Sequence, residues 1–469
     1  MDVLGVKALK GLRKGKDAAR GARVMVVGTG VTGLACAMAL PKFGAETIVT
    51  DLKGGELSSA DREAIARIEE AGAKYLPLSE AEGVAADALV LSPGIPTDDE
   101  RLIELKTRAG AWMSEIELAY MLCEGRILAV TGTNGKTTTA TLAGRILSDC
   151  FDDTRVAGNI GDAFIEAAAG SGPETVFVIE VSSYQLEGCF SFRPDVAIEL
   201  NVQPDHLKRH GTMSAYAAVK ARLLTRMTES GTAVLNADDM LVAAMAKGTR
   251  AGILNYSVER ELERGAFLRS GLMVLRMGGE EEIIGDAGEM KIRGPHNEGN
   301  AIAAAVAARA MGAPAENIRK ALKDFEGLKH RIETVGFARG VECVNDSKAT
   351  NPDSTRAALK MFAGRAVTLI MCGDDKGFDY GGLYADIEAA GAKVIVMGAG
   401  LARVADELEA RGATDVARAA DMASAARIGL EMTPEGGALL LSPGSSSFDM
   451  YKNYEERGED FRNEIRLAQ

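Results

Sequence analysis

With 469 residues the chain is too long for one hydrophobic core, and at roughly 100 to 200 residues per domain it is expected to hold about three. An apolar share of 46% beside 26% charged residues is that of an ordinary globular protein, and no run of apolar residues is long enough to span a bilayer. A net charge of -13 and a pI of about 5.1 exclude nucleic-acid or anionic-membrane binding by broad electrostatic attraction, so an anionic ligand has to be held locally.

Residues 1–22 are rich in Lys, Arg, Gly and Ala and lack an apolar signal core, so they read as an extension and not as a targeting peptide. The first block then alternates strand and helix. A strand at Val24–Val27 runs into Gly28-Thr29-Gly30-Val31-Thr32-Gly33, a helix follows over Leu34–Phe43, and a second strand, Thr47–Thr50, ends at Asp51. A further apolar run, Ala88–Leu91, leads into the turn Ser92-Pro93-Gly94-Ile95-Pro96. Strands separated by helices predict a parallel sheet covered on both faces. On spacing, the glycine turn with Asp51 is a dinucleotide fingerprint. A helix N-terminus wrapped in glycines holds any pyrophosphate, however, so the motif points to phosphate before nicotinamide.

A second block begins near Ile127. The run Ile127-Leu128-Ala129 leads into Val130-Thr131-Gly132-Thr133-Asn134-Gly135-Lys136-Thr137-Thr138 and then a helical pattern. Glycines let the backbone approach phosphates, Lys136 neutralises charge and the Thr137 hydroxyl can reach magnesium. The first glycine of the P-loop consensus falls on Val130. Glu180, closing the apolar run before Ser182-Ser183, suits a magnesium ligand, and Asp205-His206 follows another strand, at the edge where ligands of such sheets gather. Lys220 reads from spacing as a solvated helix lysine. Residues 265–293 predict short antiparallel strands, and His296, Asn297 and Asn300 stand where an Ala-rich helix begins.

The third block opens with His330-Arg331 and with Asn345-Asp346-Ser347-Lys348-Ala349-Thr350-Asn351. Its buried-strand runs are Val367–Met371, Val394–Met397 and Ala438–Leu441. Two of these ends carry anion-binding chemistry: Cys372-Gly373-Asp374-Asp375-Lys376, and Ser442-Pro443-Gly444-Ser445-Ser446-Ser447-Phe448-Asp449. The six cysteines are widely spaced and show no metal-finger pattern, as expected of buried thiols in a reducing cytoplasm.

The G-T-N-G-K-T-T loop, Glu180 before Ser-Ser, Asp205-His206, Lys220, His296-Asn297 with Asn300, His330-Arg331 and Asp346 through Asn351 together resemble the Mur ligase family, collinearly from Gly28 to about Phe461. Gly30 through Leu34, Ser92 through Ile95, and the stretch from Leu441 to Gly458 resemble the D-glutamate-adding branch. The resemblance implies an α/β protein of three domains. These are a Rossmann-like domain for a UDP substrate (1–115), a central P-loop ATP domain with a mostly parallel sheet (116–327) and a Rossmann-like amino-acid domain (328–469). It implies addition of D-glutamate to UDP-N-acetylmuramoyl-L-alanine with ATP, through an acyl phosphate. Another Mur-type or folylpolyglutamate-type ligase is the alternative.

Carried onto this sequence, Lys136, His206, Lys220 and Lys348 would serve catalysis. Gly132, Thr133, Asn134, Gly135, Lys136, Thr137, Thr138, Asn300, Arg331 and Asp346 would bind ATP. Two magnesium ions would meet Thr137, Glu180, His206 and a carbamylated Lys220. The UDP substrate would contact Val31, Thr32, Asp51, Lys53, Ser92, Gly94, Asn159 and His206, and D-glutamate Lys348, Thr350, Lys376, Ser447, Phe448 and Tyr454. A cytoplasmic monomer acting on small molecules is expected. Where many relatives carry an arginine after the second strand, this chain reads Asp51-Leu52-Lys53, which exchanges a fork for a point charge. A nicotinamide dehydrogenase and a P-loop switch remain as competing readings of the motifs.

Overall fold

A computed structural model describes residues 19–53, 59–292, 294–375 and 377–469, and it contains three sheets. The first is wholly parallel: β1 (Arg23–Val27), β2 (Glu46–Thr50), β3 (Lys74–Tyr75), β4 (Ala88–Leu91) and β5 (Trp112–Ser114), in the order β3-β2-β1-β4-β5. The strand order reverses between β1 and β4, and such a reversal opens a crevice at the strand ends. The expected helix over Leu34–Phe43 is a helix at Val31–Ala39 followed by a 3₁₀ turn, Leu40–Phe43. Pro41 has no N–H to continue the α-helical ladder.

The second sheet is built from β6 (Arg126–Thr131), β7 (Thr154–Gly158), β8 (Val176–Glu180), β9 (Val196–Glu199), β10 (Thr232–Asn236), β11 (Gly252–Ser257), β12 (Gly265–Arg269), β13 (Leu272–Met277) and β14 (Glu280–Asp286). Its order is β14-β13-β12-β11-β10-β9-β6-β8-β7, antiparallel only from β12 to β14. Strands β8 and β9 are buried along their whole length, as parallel strands covered on both faces must be. The third sheet holds β15 (Glu333–Ala338), β16 (Val341–Asn345), β17 (Val367–Cys372), β18 (Lys393–Met397), β19 (Val416–Ala419) and β20 (Ala438–Leu441). Its order is β15-β16-β20-β17-β18-β19, parallel except for the β15–β16 hairpin.

Packing gathers the chain into two compact units. One runs to Met290 and includes Asn297–Phe325; the other is Lys291–His296 with Glu326–Gln469. The first unit holds two sheets because their cores are continuous. The helix Glu115–Leu122 is buried on every side, Trp112 meets Phe190 edge-on at 4.9 Å, and Tyr120 meets Phe192 at 5.5 Å. Its two buried acids are met by backbone donors: Glu117 accepts N–H bonds from Phe190, Ser191 and Phe192, and Glu115 accepts one from Ile165. Without those partners the carboxylates would make this position untenable.

Candidate active site

Strand β6, paired between β9 and β8, delivers the chain to the phosphate-loop motif. Gly135 sits at φ 87°, and a Cβ there would lie 2.2 Å from Asn300 Oδ1, so the turn into the helix Lys136–Ser148 requires glycine. The loop is fastened to the segment after β9. Thr133 N donates to Asn201 O at 2.8 Å, Asn134 N to Asn201 Oδ1 at 2.8 Å, and Asn201 Nδ2 returns a bond to Asn134 O at 3.1 Å. Asn300 joins the cluster by accepting a bond from the Thr139 hydroxyl at 3.3 Å. Lys136 Nζ folds back over the loop and donates to Gly132 O at 2.9 Å and Thr133 O at 2.8 Å. Thr137 and Thr138 are buried at the helix N-terminus, where the backbone dipole favours an anion.

Beside this loop the reading of Lys220 as solvated is overturned: it is 1% exposed. Its Nζ lies 3.3 Å from Thr131 Oγ1 and 5.0 Å from the centre of the Tyr216 ring. Burial pushes Lys220 down to about 7, with Glu199 pulling upward. Glu199 itself, in register with Thr131 across β6–β9, is fully buried, and among the described residues neither carboxylate oxygen has a hydrogen-bond partner. Burial pushes Glu199 up to about 7, against the pull of Lys220 and then Lys136.

Glu180, at the end of β8, accepts a 2.8 Å bond from Asn159 Nδ2 on one oxygen, while Oε2 is buried without a partner among the described residues. His206 is exposed, at φ 54°, and its Nδ1 is 3.0 Å from the Tyr184 hydroxyl. Among the described residues no three His, Cys, Asp or Glu side chains group as a ready-made metal site.

The glycine turn after β1 is braced by Asp51. Its Oδ2 accepts bonds from Thr29 N and Oγ1, both at 3.1 Å, and its Oδ1 accepts one from Lys53 N at 2.8 Å. Lys53 Nζ in turn pairs with Asp61 at 2.5 Å. Ser92 Oγ is buried, without a hydrogen-bond partner among the described residues, and lies where a Cβ on Gly28 would come within 2.4 Å of it. Thr32 is half-buried, Gly94 exposed and Val31 78% exposed.

In the second unit Asp346 is buried and bonded to the Ser442 hydroxyl at 2.8 Å and to Ile332 N at 3.3 Å. Burial pushes it up to about 7, opposed by the Ser442 bond and then by Arg331. Arg331 is half-buried, and its Nε has no hydrogen-bond partner among the described residues. Lys348 Nζ stands 5.1 Å over the Tyr454 ring, and Ser347 Oγ donates to Tyr454 O at 2.8 Å. The segments that follow β17 and β20 meet, with Asp374 N donating to Ser446 O at 3.2 Å. Ser447 is buried, Thr350 half-buried and Phe448 69% exposed; Lys376 lies outside the described residues.

Residues 130–308 match the model of the Mur ligase middle domain and residues 330–445 that of the Mur ligase, glutamate ligase domain. The chain is 38% identical to a UDP-N-acetylmuramoylalanine–D-glutamate ligase of Pelotomaculum thermopropionicum, over 94% of this chain and 96% of that protein. It is 40% identical to the ligase of the same name from Salinibacter ruber, over 95% and 98%. The chain belongs to the Mur ligase family. Solved structures agree on the fold. A UDP-N-acetylmuramate–alanine ligase from Thermotoga maritima matches with a TM-score of 0.60 at 18% identity, covering 96% of this chain and 100% of that one. A MurF ligase from the same organism, in complex with ADP, also matches with a TM-score of 0.60, at 16% identity over 90% and 96%.

Glu199 and Arg457 are among the buried ionic groups of this Mur ligase that carry no assignment from sequence reasoning. Glu199 had a visible signal, being the one charge in the apolar run Val196–Leu200, a position where an acid is costly unless it is used. Arg457 falls within the stretch that carries the family resemblance but received no role there: among the polar residues Tyr454–Gly458 it looks like surface, yet it is completely buried.

Proposed function

We propose that this Mur ligase joins D-glutamate to UDP-N-acetylmuramoyl-L-alanine in peptidoglycan precursor synthesis, converting ATP to ADP and phosphate. The observation that carries the reading is the likeness, over nearly the whole length, to ligases of that name. The substrate carboxylate attacks the γ-phosphorus and ADP leaves; the D-glutamate amine then attacks the acyl carbon of the acyl phosphate, and phosphate leaves. The first step brings an anion onto a polyphosphate, and the repulsion has to be neutralised. Lys136 and the N-terminus of its helix supply positive potential for this, and ATP binding replaces the two loop carbonyls as partners of the ammonium.

Magnesium, which neutralises phosphate charge when bound, would be held by Thr137 and Glu180 and by His206 with carbamylated Lys220. The unpartnered Glu180 oxygen suits a hard cation, and a lysine lowered to about 7 keeps much of its amine neutral, the form that adds to carbon dioxide. Asn300, Arg331 and Asp346 would complete the ATP site. Val31, Thr32, Asp51, Lys53, Ser92, Gly94 and Asn159 would take the UDP substrate. Lys348, Thr350, Lys376, Ser447, Phe448 and Tyr454 would surround D-glutamate.

Phosphate release measured with D- and L-amino acids against UDP-muramoyl acceptors tests the reading. Release should need both D-glutamate and the L-alanyl acceptor. Release without any amino acid would make the chain a P-loop switch, and release only with another amino acid a different ligase. Lys136→Ala is expected to lower turnover by about a thousandfold. Near-normal turnover in that variant would remove the phosphate-loop assignment.

A further inference from the structure

The helix Tyr454–Ala468 carries Arg457 one turn beyond Tyr454, with 0% exposure. Its Nε donates to Ser347 Oγ at 3.0 Å, Nη2 to Ser347 O at 2.8 Å, and both Nη atoms to Ser445 O at 3.2 Å. A longer bond, 3.5 Å, runs from Nη1 to Cys372 O. Every one of these acceptors is a neutral oxygen. A guanidinium never loses its proton in a protein, and one taken wholly out of water is ordinarily met by a carboxylate. Among the described residues no carboxylate forms an ion pair with Arg457.

The acceptors are not scattered. Ser347, Cys372 and Ser445 end or follow β16, β17 and β20, which lie side by side as β16-β20-β17. Each segment continues into residues assigned above to the amino acid: Ser347 into Lys348, Cys372 into the turn toward Lys376, Ser445 into Ser447. Tyr454 belongs to the same helix as Arg457 and receives the Ser347 hydroxyl on its carbonyl. One rigid fork therefore ties three strand ends together, while its charge acts on the nearby carboxyls of Asp346 and Asp449 without pairing with either.

We infer that Arg457 is a positioning residue for the incoming amino acid: it fixes the three strand ends assigned above to D-glutamate. The inference rests on the ligase activity proposed above. Lysine at this position keeps the charge and loses the fork, whereas methionine keeps the apolar stem and loses both.

Steady-state phosphate release is measured for wild type, Arg457→Lys and Arg457→Met, varying D-glutamate, ATP and the UDP-muramoyl substrate in turn, with circular dichroism melts to compare folding. Arg457→Met should raise KM for D-glutamate about tenfold or more while the other two KM values stay within about twofold, and Arg457→Lys should fall between it and wild type. An unchanged KM for D-glutamate overturns the inference, whatever happens to kcat. Equal increases in all three KM values overturn it too, as does failure of both variants to fold, because Arg457 would then serve the fold alone. Wild-type protein without D-glutamate-dependent turnover would instead sink the activity, and this inference with it.

Discussion

Lys220 shows why one side chain's function can be invisible in sequence and plain in three dimensions. Its neighbours Val219 and Ala221 and its place in a helix resemble any surface lysine. What decides its state is the packing of the helix Met213–Thr225, which brings Nζ to Thr131 beneath the phosphate loop. There the ammonium form is penalised and the neutral amine becomes accessible near pH 7. The carbamate proposal turns on this. Lys220→Ala should lose about a hundredfold or more in turnover and recover part of it when a short carboxylic acid such as acetate is added, because the acid restores the missing oxygen donors. Lys220→Arg cannot form a carbamate and should stay inactive with or without acetate. A fully active arginine variant would mean that the position needs only a cation. The family resemblance therefore carries a prediction about Lys220 that spacing could not make, and burial supplies its physical basis. Glu199 is the reverse case, an anomaly legible in the sequence itself, since an acid in an otherwise apolar strand needs a reason.

The strands and turns were far more legible than these side chains, because periodicity and apolar runs report burial directly. The apolar runs ending at Glu180, Leu200, Met371 and Leu441 are parallel strands, and the Gly-interrupted stretch from 265 is the antiparallel β12–β14 edge. Sequence could not rank the glycines within a motif. Gly135 at φ 87° faces Asn300, so Gly135→Ala combines backbone strain with a clash against a buried amide that is already bonded to Thr139. Gly30, at the N-cap of the helix Val31–Ala39 with φ -76°, faces open space, and a Cβ added there would meet no atom within 4 Å. Gly135→Ala is expected to weaken ATP binding, measured by calorimetry, by about tenfold or more, with a lowered melting temperature. Gly30→Ala should leave the melting temperature nearly unchanged, and if the two variants melt alike, the phosphate loop is not held by the contact with Asn300.

Across the molecule, stability should carry the mark of acids that folding holds neutral. Glu115 and Glu199 in one unit and Asp346 in the other are each pushed up to about 7, burial being the leading cause every time. An unfolded glutamate gives up its proton near pH 4.5, so between about 4.5 and 7 the folded chain binds more protons than the unfolded one. Over that window these groups make stability fall as pH rises. Lys220 acts oppositely above its own value of about 7, where the unfolded chain binds the extra proton and stability rises with pH. Glu115 is the group to test, because it stands apart from the phosphate loop and its one backbone partner, Ile165 N at 2.5 Å, can donate equally to an amide oxygen. Glu115→Gln removes the titration and keeps the bond. Relative to wild type, the variant should therefore gain on the order of 3 kcal/mol between pH 5 and pH 8, read from chemical denaturation at a series of pH values. Parallel pH profiles for the two proteins would show that Glu115 is ionised in the folded state. The carboxylate would then be sustained by the Ile165 N–H and by nothing in the surrounding apolar core, a cost that burial of an unpaired charge makes hard to bear.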